Sequence, residues 1–288
     1  MRRIGRATAW ATWTWRPAIS TRPGSVASAT ARRSSCMRPG KLRSRVMQGG
    51  HVRPLRLARA VARRLARCFR ARQGYAGYRS FSQEGEDMIL RSMFSTKPRG
   101  YHGFYVDVGA HDPERFSNTL CLYLAGWRGI NIDARPGGMT AFRRRRPRDI
   151  NLELAIGASR STLTYYCFND AALNGFRADI AKAIDEAGRF RLTSQVQLET
   201  VPLSDVLDEY LPEGQAIDLL TVDVEGMDYE VLSSNDWARY RPDVVLAEEL
   251  TPAPIEELLS LPVASFMRKQ GYDLRCKTPR TLFFVRRT

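Results

Sequence analysis

The feature that most constrains this chain is the stretch Tyr105-Val106-Asp107-Val108-Gly109-Ala110-His111-Asp112-Pro113-Glu114-Arg115-Phe116-Ser117. A short apolar run meets an acid, turns on a glycine and feeds a second apolar segment. The pattern reads as the first strand of an α/β sheet, its carboxyl-end loop and the approach to the next helix. Loops at that edge bind nucleotide-like ligands. Gly109 lets the backbone turn tightly and lets a ligand come close. A dinucleotide fold would continue as G-x-G-x-x-G. Here the second and third glycines are missing, and His111, Asp112 and Glu114 stand where a pyrophosphate would lie. The loop suits a ligand without phosphates, whose charged end is an ammonium or sulfonium.

Around this stretch, apolar runs and helical periods alternate. Residues 104–108, 129–133, 150–156, 217–222 and 243–247 read as strands. Residues 118–125, 139–146, 204–210, 227–232 and 255–270 read as helices. Residues 161–168 are β-like and antiparallel, 195–201 are extended, and 176–187 form an inserted helix. Segments 272–276 and 281–286 close the chain as a hairpin. The predicted fold is α/β, a doubly wound, mostly parallel seven-stranded sheet with an antiparallel edge strand. The domain begins near Ser80 and runs to 288. Ser82-Gln83-Glu84-Gly85-Glu86-Asp87 reads as a capped helix start, and its acids, Glu84 among them, are candidates for a ligand pocket. The segment 169–193 interrupts the regular sheet and is a natural lid over an acceptor.

The formal charge of +15 suggests a nucleic-acid or membrane partner until its distribution is seen. Residues 1–80 hold 20 of the 45 Lys and Arg and none of the 30 Asp and Glu, leaving 25 basic against 30 acidic residues, a balance of −5, for the rest. Residues 1–50 read as disordered, resembling either a transit peptide or an over-extended start. Residues 52–72 carry apolar residues at helical spacing among arginines, a basic amphipathic helix that packs on the domain or lies on an acidic surface. The lead as a whole, 1–75, is Arg-rich. The five cysteines are scattered with no C-x-x-C pair, and His51, His102 and His111 lack zinc-like spacing. A reducing, cytoplasmic location is expected, and no run is apolar enough to span a membrane.

Asp133 follows Gly109 by 24 residues and ends the second predicted strand, close to the spacing at which an acid grips ribose hydroxyls. A ribose-bearing, phosphate-free, cationic ligand describes S-adenosylmethionine. The hexapeptide from Ser82 to Asp87, the stretch from Tyr105 through Phe116-Ser117-Asn118-Thr119, residues 129–133 and Asp223-Val224-Glu225-Gly226 are similar in order and spacing to the FkbM-type methyltransferases. So is Arg146-Pro147-Arg148-Asp149-Ile150-Asn151-Leu152, and the similarity covers roughly residues 80–250. The resemblance implies a Rossmann-like class I methyltransferase that uses S-adenosylmethionine, typically to O-methylate a saccharide or natural-product small molecule. It implies that Asp107, Gly109 and Ala110 form the cofactor turn, that Asp133 holds the ribose and that Asp223 stands near the methyl group. After Asp133 the chain reads Ala134-Arg135-Pro136, where the family pattern leads one to expect a residue smaller than Arg135.

An alcohol acceptor has to lose its proton as it attacks, to a general base or with help from a metal. His111, Asp223 and Glu225 sit at predicted strand ends on one edge of the sheet, and His111 has the most suitable intrinsic pKa. The alternative is Mg²⁺ held by Asp223, Glu225 and Glu248. In blander roles His111 is a hydrogen-bonding spacer, Glu225 caps a helix and Glu248 pairs with an arginine. Two other functions compete. One is a nucleotide-dependent oxidoreductase, which needs the missing glycines. The other is a non-enzymatic nucleic-acid or membrane-surface binder acting through the Arg-rich lead; the acidic domain itself disfavours a polyanion.

Overall fold

Five consecutive buried residues place strand β1 (Phe104–Val108) in the interior of the sheet. The computed structural model describes residues 78–287; the readings of residues 1–50 and 52–72 lie outside them. Helix α1 (Glu86–Met93) precedes β1, and then strands and helices alternate. They are α2 (Leu120–Leu124), β2 (Arg128–Asp133), α3 (Met139–Arg145), β3 (Ile150–Glu153), β4 (Ala155–Ile156) and β5 (Ser161–Phe168). There follow α4 (Ala178–Glu186), β6 (Leu192–Val201), α5 (Leu203–Tyr210), β7 (Leu219–Val222), α6 (Asp228–Ser233) and β8 (Val244–Glu248). Last come α7 (Ile255–Leu258), α8 (Pro262–Lys269), β9 (Tyr272–Lys277) and β10 (Thr281–Arg286).

Seven strands form one sheet in the order β3-β2-β1-β7-β8-β10-β9. β3, β2, β1, β7 and β8 pair in parallel, and β10 runs against both of its neighbours. The expected antiparallel edge is therefore the terminal hairpin, with β10 inserted between β8 and β9. The period of two along each strand explains the two layers. Val106 and Val108 face a core shared with Val206 of α5, Val231 of α6 and Met267 of α8. Tyr105 faces the opposite core, with Leu90 of α1 and Leu122 of α2. Strands buried on both faces have to be apolar almost throughout, as β1 and β7 are.

Two expectations are corrected. The run 150–156 is two strands: after Glu153 the chain leaves the large sheet, and Ala155–Ile156 pairs with β6 in a second sheet of order β4-β6-β5. The helix 255–270 is broken after Leu258, and Pro262 opens a new helix at the position where its missing N–H costs nothing. The start of α1 is capped as expected, though not from its N-cap residue, Gly85 at φ 91°: Ser82 Oγ accepts from the Asp87 N–H at 3.2 Å. The Asp87 carboxylate in turn accepts from Ser80 Oγ, Ser82 Oγ and the Phe81 N–H.

Candidate active site

The carboxyl ends of β1, β2 and β7, together with the excursion between β5 and β6, enclose a cleft with about 770 Å³ of empty space, part of it open to solvent. Gly109, His111 and Phe116 come from the loop after β1, and Asp133 and Ala134 from the end of β2. Asp223, Val224 and Glu225 come from the loop after β7, and Tyr165, Asn174 and Phe176 from β5 and the excursion. Three non-glycine residues among those described have positive φ: His111 at 55°, Phe116 at 58° and Glu225 at 53°. All three line this cleft. Left-handed backbone costs on the order of 1–3 kcal/mol at such residues and gathers where a fold holds side chains for a purpose.

Local chemistry explains each segment. Gly109 has φ 81°, and a Cβ there would come within 1.7 Å of the Asp223 carbonyl oxygen, so only glycine lets the first and fourth parallel strands bring their loops together. The Asp223 N–H donates to the Val108 carbonyl, and the Gly109 N–H to that of Ile132. Asp133 then accepts from two backbone groups, the His111 N–H at 2.8 Å and the Arg135 N–H at 2.8 Å. His111 Nε2 is buried with no hydrogen-bond partner among the described residues. Burial lowers the His111 pKa, with Arg135 and Arg115 adding to the effect against Asp133 and Asp112. The imidazole is therefore neutral at pH 7.

The fourth-strand loop is acidic. Burial, with Asp107 and Glu86 nearby, raises Asp223 to about 6. Burial and Asp223 raise Glu225 to about 8, and burial and the neighbouring acids raise Glu248 to about 10. Among the described residues three carboxyl groups line the cleft, those of Asp133, Asp223 and Glu225, and neither Lys nor Arg does. Among the described residues no three His, Cys, Asp or Glu side chains are gathered as metal ligands. The expected Mg²⁺ set of Asp223, Glu225 and Glu248 is thus not assembled. Glu248, at the end of β8, does not line the cleft, and its N–H is tied to Asp228 Oδ1.

Asp223, Glu225, His111, Gly109 and Asp133 meet in one place, while three other expected cofactor residues do not. Glu84 turns away to Arg280, accepting from its N–H at 3.0 Å, and Gln83 lines the cleft in its stead. The Ala110 methyl packs against Met139 and Phe142. Asp107 lies on the Tyr105 face of β1 and accepts from Thr119 Oγ1 at 2.6 Å. It belongs to a buried network centred on Arg146, which donates to Asp149, Tyr105, Thr119 and Ser117. The Phe116-Ser117-Asn118-Thr119 motif is therefore scaffold as well as lining: Asn118 reaches Thr221 on β7, and Ser117 and Thr119 reach Arg146. Asn174 and Phe176 of the expected lid do line the cleft, and Tyr165 and Phe116 join them without having been singled out by the sequence. Their only signal was the place of Phe116 within the opening motif.

The acidic cleft lies at the switch point of a Rossmann-like sheet, between β1 and β7. Residues 107–274, more than half of the chain, match the methyltransferase FkbM domain, and the chain belongs to that family. No curated protein matches it significantly. Among solved structures it is similar to an FkbM methyltransferase from Methylobacillus flagellatus KT, with a TM-score of 0.41, 14% identity, and coverage of 71% of this chain and 48% of that one. The chain thus spans about half the length of that relative. It is also similar to a TehB-like SAM-dependent methyltransferase from Corynebacterium glutamicum (TM-score 0.35, 13% identity, 79% and 99% coverage). A third is an O-methyltransferase from Bacillus cereus in complex with SAH (TM-score 0.36, 10% identity, 78% and 90% coverage). Among the described residues, no helix is long and apolar enough to cross a membrane.

Proposed function

We propose that the cleft binds S-adenosylmethionine and that the protein methylates a hydroxyl of a saccharide or natural-product small molecule. The observation that carries this reading is the cleft's lining: three carboxyl groups, an unpartnered imidazole nitrogen and apolar walls, with no Lys or Arg among the described residues. That set attracts a sulfonium and repels a pyrophosphate. Asp133 spends one lone pair of each oxygen on backbone N–H groups and keeps the others for ribose hydroxyls. Val108, Ile132, Leu154 and Ile156 offer the apolar surface a purine needs. Asp223 and Glu225 face the positive end of the ligand.

When bound, S-adenosylmethionine supplies an electrophilic methyl group, and the protein's work is to place an oxygen in line with it. His111, neutral and with Nε2 unpartnered, accepts the hydroxyl proton as the oxygen attacks. Tyr165, Asn174 and Phe176 form an aromatic and amide wall that suits a sugar ring. The three described cysteines are unpaired, which supports a reducing, cytoplasmic setting.

Calorimetric titration of the full chain with S-adenosylmethionine tests the proposal. Binding is expected in the wild type, with a loss of roughly tenfold or more in Asp133→Ala, the loss of one charged hydrogen-bond acceptor. A folded wild-type chain that shows no heat of binding sinks the reading.

A further inference from the structure

The residue that departs from the family pattern, Arg135, is placed with unusual care. Arg135-Pro136-Gly137-Gly138 is a turn closed by the Gly138 N–H on the Arg135 carbonyl at 3.0 Å. Gly137 has φ 76°, the conformation a type II turn requires after proline. A Cβ at Gly138 would stand 3.0 Å from Arg135 Nε, so the second glycine lets the side chain fold back over its own turn. That side chain makes no ion pair among the described residues. Its Nη2 donates to the His111 carbonyl at 3.0 Å, and its Nε is buried with no acceptor among those residues. A buried donor left unpaired costs on the order of 1–3 kcal/mol. A guanidinium kept half-buried without an acid, and with one nitrogen unsatisfied, is poorly explained by stability alone.

His111 is what it holds. The His111 N–H is taken by Asp133, its carbonyl is taken by Arg135, and Asp133 also takes the Arg135 N–H. Three hydrogen bonds thus close around one residue whose φ of 55° is unfavourable by itself. We propose that Arg135 is a positioning residue of the cleft: with Asp133 it clamps His111 from both sides and fixes the imidazole against the ligand space. The clamp stands on geometry alone; only the use made of His111, as the group that takes the hydroxyl proton, rests on the methyl-transfer reading. Because Asp133 is both the proposed ribose acceptor and one jaw of the clamp, occupancy of the cofactor site stiffens the base.

The chain has three histidines, His51, His102 and His111, so their ring Cε1–H resonances can be followed by NMR in the full-length protein and assigned with His51→Gln and His102→Gln. The charged groups around His111 are Asp133, Asp112 and Asp170 on one side of the balance and Arg135 and Arg115 on the other, and the Phe116 ring lies 6.4 Å away. In Arg135→Met the His111 midpoint is expected to rise by roughly half to one pH unit, as the ring loses both a neighbouring cation and its enclosure. The His111 amide is expected to exchange with solvent about tenfold faster. Arg135→Lys, which keeps the charge and one donor, is expected to recover part of both. An unchanged midpoint and unchanged exchange in a folded Arg135→Met protein overturn the proposal. If that variant does not fold, Arg135→Lys decides: faster His111 exchange supports the clamp and wild-type exchange overturns it. None of these readouts uses the cofactor, so a failure of S-adenosylmethionine to bind is a separate result.

Discussion

At the scale of single residues, the acids divide by the face of the strand they stand on. Asp133 and Asp223 end their strands and open on the cleft, whereas Asp107, in mid-strand, is turned under the sheet to Thr119 and the Arg146 network. Burial raises Asp107 to about 6, against the opposing pull of Arg146. A carboxyl whose folded pKa lies above its unfolded value favours the fold when protonated. Its contribution is complete below about pH 4 and disappears as pH rises through about 6. Asp107→Asn keeps an acceptor for Thr119 and removes the charge. It is expected to stabilise the protein by about 1–2 kcal/mol at pH 8, allowing for the partner its new amide needs, and by nothing measurable at pH 4.5. Urea denaturation at the two pH values checks this, and an Asn variant less stable than wild type at pH 8 refutes it. Mid-strand position already distinguished Asp107 from Asp133 in the sequence, through the period of two. The family resemblance drew it into the cofactor turn because motif matching takes no account of facing.

At the scale of elements, the loops after β1 and β7 are built by the large sheet, but the wall opposite them is not. It comes from β5 and the excursion that follows, anchored by the bridge between Tyr166 and Gly175 and by Asn174 Oδ1 on the Phe168 N–H. Arg115 of the opening motif pairs with Asp170 of the excursion at 3.4 Å, and Arg177 donates to the Gly226 carbonyl, so both catalytic-edge loops touch it. Beyond these ties, Lys182, Arg189 and Arg191 are exposed around α4. A lid that closes on ligand shields such sites, and saturating S-adenosylhomocysteine is expected to slow tryptic cleavage there several-fold. Equal cleavage with and without it removes the lid from the mechanism. The parallel strands were legible because burial on both faces leaves uninterrupted apolar runs. The break at Leu154 was not, because the run Leu152, Leu154, Ile156 keeps its period while the chain changes sheet. Its cause is a partner strand, Leu192–Val201, more than thirty residues downstream. Pro262 did announce the break between α7 and α8, and the apolar period on either side concealed it.

At the scale of the whole molecule, the charge that dominates the composition lies outside the catalytic domain, while the domain concentrates its own acids at one edge of the sheet. Asp223, Glu225 and Glu248 titrate near 6, 8 and 10, and Asp228 well above its ordinary value, chiefly through burial and then through one another. Arg280 is the cation that opposes the shifts at Asp223, Glu225 and Glu248. Between about pH 4.5 and 8 the folded protein therefore binds more protons here than the unfolded chain, and its stability falls as pH rises. A cationic ligand reverses the balance, because it favours the ionised carboxyls that burial disfavours. S-adenosylmethionine carries the sulfonium and S-adenosylhomocysteine does not, so the two otherwise similar ligands separate the electrostatic contribution from the rest. As Asp223 and then Glu225 ionise, the preference for the sulfonium is expected to grow by roughly tenfold between pH 6 and 8, about 1.4 kcal/mol. Parallel calorimetric titrations of the full chain with both ligands measure that ratio. A ratio that stays flat across this range places the positive end of the ligand away from Asp223 and Glu225. A ratio that climbs in step with their titration locates the sulfonium between the first and fourth strand loops, where Gly109 and Asp223 leave no room for a side chain.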